Sequence, residues 1–119
     1  MQESGEMYLE SIYVLCQSKA GVRSIDVAEY MNYSKPSVSR AVGLLKAQGY
    51  VVVDEDGFLS LTDAGVTLAQ SMFERHTVLT RLLTALGVDE ATATEDACKM
   101  EHDISDKTLA AIKKFVTNN

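Results

Sequence analysis

Apolar positions recur at three- and four-residue spacing along most of the chain, interrupted by one pair of short β-branched runs. Leu9, Ile12, Tyr13 and Cys16 predict a helix from Gly5 to Lys19. Ser4 is its expected N-cap, Glu6 lies where the helix dipole favours an anion, and Ala20-Gly21 stops it. Val27, Ala28 and Met31 predict a short helix from Ile25 to Met31, capped by Ser24. After a turn at Asn32-Tyr33-Ser34, Ser34 caps a third helix with Pro36 in its first turn, where a missing N–H costs little. That helix turns Val38, Val42 and Leu45 inward and ends at Gln48-Gly49. Tyr50 to Val53 and Phe58 to Leu61 read as two strands, joined by a tight turn at Asp54-Glu55-Asp56-Gly57. Thr62 caps a long helix from Asp63 to about Leu86, with Val66, Leu68, Ala69, Met72, Phe73, Leu79, Leu82, Leu83 and Leu86 inward. Asp89 caps a helix whose apolar stripe is Ala93, Ala97, Met100 and Ile104, and Ser105 caps a last helix that turns Leu109, Ile112 and Phe115 inward.

Two short helices joined by a tight turn form a helix-turn-helix, and a hairpin directly after the second is a wing. The fold class is therefore mainly α: a winged helix-turn-helix over residues 1–73, then a helical domain over 74–119, with the boundary inside the long helix near Glu74. No Pro/Gly/Ser-rich linker, repeat or low-complexity segment interrupts it.

Composition adds limits. A chain of 119 residues, 46% apolar and 24% charged, is expected to form one soluble domain or two small ones sharing a core. The opening residues are acidic and no long apolar run follows, so neither a secretory signal nor a membrane span is expected. Cys16 and Cys98 stand far apart, which suits a reducing, cytoplasmic setting. The net charge of −6 argues against nonspecific nucleic-acid binding. The distribution changes that picture: Tyr33 to Val53 holds three basic residues and no acidic one. This island falls on the second helix of the helix-turn-helix, making Lys35, Pro36, Ser37, Ser39, Arg40 and Lys46 the candidate DNA-contacting residues. The wing tip is acidic, which disfavours close contact with phosphates.

The candidate chemistry lies in Asp96-Ala97-Cys98-Lys99-Met100-Glu101-His102-Asp103. Cys98, Glu101 and His102 sit at i, i+3 and i+4, which stacks a thiolate, a carboxylate and an imidazole on one helix face. That is a metal-ligand set by its chemistry. The competing reading is a buried Cys98 beside two solvated polar residues. Met7 and Glu10 share a face of the first helix, and His76 stands mid-helix beside Arg75. Taken alone, these fit equally well a core methionine, a solvated carboxylate and a structural histidine.

Three stretches together resemble the metal-dependent repressors of the diphtheria-toxin-repressor and manganese-transport-regulator family. They are Glu6-Met7-Tyr8-Leu9-Glu10 with Ile12-Tyr13, the helix-turn-helix from Ile25 to Leu45, and Asp96 to His102 followed by Ser105-Asp106. The resemblance runs along essentially the whole chain and is closest to the short, two-domain form. It implies an activating metal site on Met7, Cys98, Glu101 and His102, with Met and Cys where the iron-responsive branch has them and the manganese branch has Asp and Glu. Glu10 and His76 match positions that the manganese branch uses as ligands. An ancillary site sharing His76 would fall on Thr80 and Thr94, a poor set for a metal. Thioether and thiolate discriminate against Mn(II). The expected metal is therefore Fe(II), with Mn(II) second and Zn(II), Co(II) or Ni(II) as substitutes in vitro.

The resemblance implies a repressor of metal-homeostasis genes, not an enzyme, in which the metal ties the first helix to the C-terminal helices and sets the placement of the recognition helices. The expected partners are double-stranded DNA with a palindromic operator and a second copy of the chain, with no membrane and no small-molecule substrate. The homodimer is also suggested by the apolar surplus from Ala93 to Phe115, more than one small bundle covers. Two other classes stay open: a metal-dependent hydrolase using Glu101 and His102, and a winged-helix regulator that binds DNA or a partner without metal control. The first lacks any recognisable oxyanion hole or phosphate loop.

Overall fold

The computed structural model describes residues 3–118, with side chains described from Gly5. The elements run α1 (Glu3–Ser18), α2 (Ser24–Met31), α3 (Lys35–Ala47), β1 (Val51–Val53), β2 (Leu59–Leu61), α4 (Asp63–Ala85), α5 (Glu90–Met100) and α6 (Asp106–Asn118). They form two compact units, Met1–Gln70 and Ser71–Asn119, which divide inside α4.

The first unit is a winged helix-turn-helix. Its core joins Tyr8, Leu9 and Ile12 of α1, Val27 and Ala28 of α2, Val38, Val42 and Leu45 of α3, Val51, Leu59 and Ala69. Each fully buried aliphatic side chain contributes about 1.5–3 kcal/mol to such a core. The wing pairs antiparallel with Val51 opposite Leu61 and Val53 opposite Leu59. At its tip the Asp54 carboxylate accepts from the N–H groups of Asp56 and Phe58, and Gly57 takes φ 84°. The loop after α1 adds a bridge that the periodicity did not reveal: the Leu59 N–H donates to the Val22 carbonyl at 2.7 Å.

The helix starts follow capping chemistry. Ser34 and Asp89 accept from the N–H groups of Ser37 and Thr92, Thr62 from Gly65, and Ser105 from Thr108. Two expected caps differ. The side chain of Ser4 lies outside the described residues, and α1 already includes Glu3. Ser24 belongs to α2 itself; the cap position is Arg23, whose N–H donates at 2.8 Å to the Asp26 carboxylate. Lys19, bonded to that carboxylate, and the Arg23 N–H hold it below the ordinary aspartate range. Asn32 closes α2 in the left-handed conformation, φ 59°, which asparagine tolerates.

The second unit comprises the rest of α4 with α5 and α6, and buries Met72, Val78, Leu79, Ala93 and Ala97. Phe73, Leu86 and Phe115, expected inward, are exposed. The buried line on α4 runs Met72, Arg75, Val78 and Leu79, and Phe73 lies off it. α5 ends at Met100 rather than running on through Ile104. Among the described residues, no helix is long and apolar enough to cross a membrane.

Candidate functional site

The second unit brings His76, Glu101 and His102 together. α5 delivers Glu101 as its C-cap: its N–H donates to the Ala97 carbonyl at 2.9 Å and its backbone stays helical, φ −60° and ψ −25°. His102 follows in the turn. The Glu101 side chain is 1% exposed, and that of His102 is fully buried. From α4, His76 Nδ1 lies 3.0 Å from Glu101 Oε2. On the other oxygen, His102 Nε2 stands 3.3 Å from Glu101 Oε1. A carboxylate is thus held in the interior with an imidazole nitrogen beside each oxygen.

The competing reading of the sequence is inverted. Cys98 is exposed on α5, whereas the side chains of Glu101 and His102 are buried. Burying an ionised carboxylate is costly unless hydrogen bonds, opposite charge or a metal compensates. One buried carboxylate and two imidazoles are the donors that suit Mn(II), Fe(II) or Zn(II), and a thiolate one turn away on α5 shifts preference toward the softer of these. The donor set therefore fits a divalent transition metal.

Arg75 is the residue that sequence reasoning missed. It stands 8% exposed on the buried line of α4. Its Nη1 donates to the Glu101 carbonyl at 3.0 Å and to the Ile104 carbonyl at 2.9 Å, and its Nη2 pairs with the Asp106 carboxylate. A helix C-terminus leaves its last carbonyls without intrahelical partners. Arg75 satisfies the Glu101 carbonyl and that of Ile104 beyond it. The only signal in the sequence was adjacency to His76, and adjacency says nothing of burial.

In the first unit, α1 carries Met7 and Glu10 one turn apart, both half-buried. On α3, Lys35, Pro36, Ser39, Arg40 and Lys46 are exposed, and Ser37 is half-buried with its hydroxyl against that of Ser34 at 2.8 Å. Val38, Val42 and Leu45 hold the opposite face of α3 in the core, so the basic face points to solvent. Beside the wing, the Arg23 guanidinium stacks on the Phe58 ring, 4.4 Å from its centroid.

Residues 1–59 match the N-terminal DNA binding domain of the iron dependent repressors, and residues 62–119 match the metal binding and dimerisation domain of the same family. The chain is 36% identical over 115 residues to the diphtheria toxin repressor of Corynebacterium diphtheriae, a match covering 96% of this chain and 51% of that one. It is 33% identical over 113 residues to the HTH-type transcriptional regulator MntR of Lysinibacillus sphaericus, covering 95% of this chain and 81% of that one. Among solved structures it is similar to the manganese regulator SloR, with TM-score 0.85 and 29% identity, covering 100% of this chain and 56% of that one. The chain thus spans most of one of these relatives and about half of the other two.

Proposed function

The chain belongs to the iron-dependent repressor family, and from that premise we propose that it is a metal-activated, sequence-specific DNA-binding repressor of iron or manganese homeostasis genes. The observation that carries this reading is the buried Glu101 carboxylate between the His76 and His102 imidazoles, in a chain whose other unit offers a basic recognition helix.

Glu101, His102 and His76, with Cys98 on α5 and Met7 and Glu10 on α1, are the residues that would hold the ion. When bound, a divalent ion supplies a double positive charge that neutralises the carboxylates. The residues of α3 do the reading. Arg40 and Lys46 reach base edges or phosphates, and Lys35 at the helix start adds to the positive field. In a homodimer, the spacing of two α3 helices sets the spacing of two half-sites, so the operator has two-fold symmetry. Donors that favour one placement of α3 couple the two binding events reciprocally, and a coupling of about 1–3 kcal/mol changes affinity roughly 5–150-fold. The soft donors Cys98 and Met7 favour Fe(II), with Mn(II) second. This is the work of a cytoplasmic regulator without catalytic activity.

Selection of fragmented genomic DNA on the protein tests the reading. With Fe(II) under anaerobic conditions, one two-fold symmetric sequence should be enriched, and a chelator should remove the enrichment. Equal enrichment with and without chelator would instead identify a winged-helix regulator outside metal control.

A further inference from the structure

Two neighbouring residues of α4 hold the same residue of α5. His76 meets the Glu101 side chain, and Arg75 holds the Glu101 main chain by its carbonyl at 3.0 Å. The same guanidinium nitrogen reaches past His102 to the Ile104 carbonyl at 2.9 Å, and the other terminal nitrogen pairs with Asp106 in the first turn of α6. Glu101 and His102 therefore sit in a turn gripped at both ends by one side chain.

We infer that Arg75 is a positioning residue for the metal-binding carboxylate: by bonding both ends of the 101–104 turn it fixes where Glu101 and His102 present their donor atoms. This rests on the proposed reading of the site as a metal centre. The turn is short and follows the last helical residue, so its carbonyls have no ladder to hold them. A planar guanidinium serves two carbonyls and a carboxylate at once, which an ammonium point charge cannot do in the same directions. Arg75 is itself buried, so its geometry is set by packing and not by solvent. Its side chain touches main-chain atoms and Asp106 and offers no donor to a cation.

The probe is Co(II), titrated anaerobically into the full chain and followed by its visible absorption bands, beside thermal melting of the metal-free protein. Arg75→Met should remain folded, bind Co(II) roughly 10–100-fold more weakly, as loss of an outer-shell partner typically does, and shift the absorption bands. Arg75→Lys should fall between Arg75→Met and the parent. A lower melting temperature with the parent's affinity and bands would overturn the inference and leave Arg75 a stability residue only. If Arg75→Met does not fold, Asp106→Asn carries the test, because this carboxylate is 95% exposed and its loss leaves the core intact. Its Co(II) affinity should drop in the same direction by less, and an unchanged affinity and spectrum would overturn the inference. Failure of the metal-centre reading is separately visible, since the parent itself would then bind no Co(II).

Discussion

Cys98 and Glu101 lie about one helical turn apart, the first exposed and the second buried. The i, i+3, i+4 spacing made their chemistry legible, because three donor types at that spacing share a helix face. Which of them is buried was not legible. That depends on which face of α5 packs inward: Ala93, Ala97 and Glu101 form its buried line and Cys98 lies off it, while Arg75, from another helix, takes the Glu101 and Ile104 carbonyls. No local pattern encodes a contact made across 26 positions. The exposure of Cys98 makes its role testable apart from stability. Cys98→Ala should change unfolding free energy by less than about 0.5 kcal/mol, the usual range for a surface site, while abolishing metal-activated DNA binding. Cys98→Glu combined with Met7→Asp should move the metal preference from Fe(II) toward Mn(II), since both changes replace soft sulfur by hard oxygen. DNA-binding midpoints for each ion provide the check. A Cys98→Ala protein with the parent's Fe(II) midpoint would remove Cys98 from the ligand set.

At the scale of elements, the caps at Ser34, Thr62, Asp89 and Ser105 were readable because a side-chain oxygen before an apolar run has one local job. Ser24 misled because Asp26 serves the start of α2 instead, supported by Lys19. The hairpin itself was readable from the β-branched run and Gly57. The third partner of the wing, Val22, was hidden in a loop. The start of α4 presses on the wing even more tightly. A Cβ on Gly65 would come within 2.1 Å of the Tyr50 carbonyl oxygen, which already accepts the Thr62 N–H at 3.0 Å. Gly65→Ala should therefore destabilise the protein by about 1–3 kcal/mol, the usual range for overpacking. Gly43→Ala on α3, where a Cβ meets nothing within 4 Å, should stabilise it by up to about 1 kcal/mol. Urea unfolding of both variants checks the pair. Equal effects would mean that helix propensity and not the Tyr50 contact governs Gly65.

For the whole molecule, an acidic chain keeps its longest acid-free basic island on one helix of one unit and its buried carboxylate in the other. The net charge alone would have pointed away from DNA, and the distribution pointed toward it. Compactness divides the chain between Gln70 and Ser71, inside a continuous α4, and the sequence carried no linker to mark such a division. In the proposed function, donors around Glu101 regulate reading by α3. The most direct measurement is the affinity of the parent and of Glu101→Gln for the selected DNA, by fluorescence anisotropy, with Fe(II) and with chelator under anaerobic conditions. Fe(II) should tighten binding of the parent roughly 5–150-fold and leave Glu101→Gln at its chelated affinity. Equal affinity of the parent in Fe(II) and in chelator, or an Fe(II) response that survives in Glu101→Gln, would contradict it.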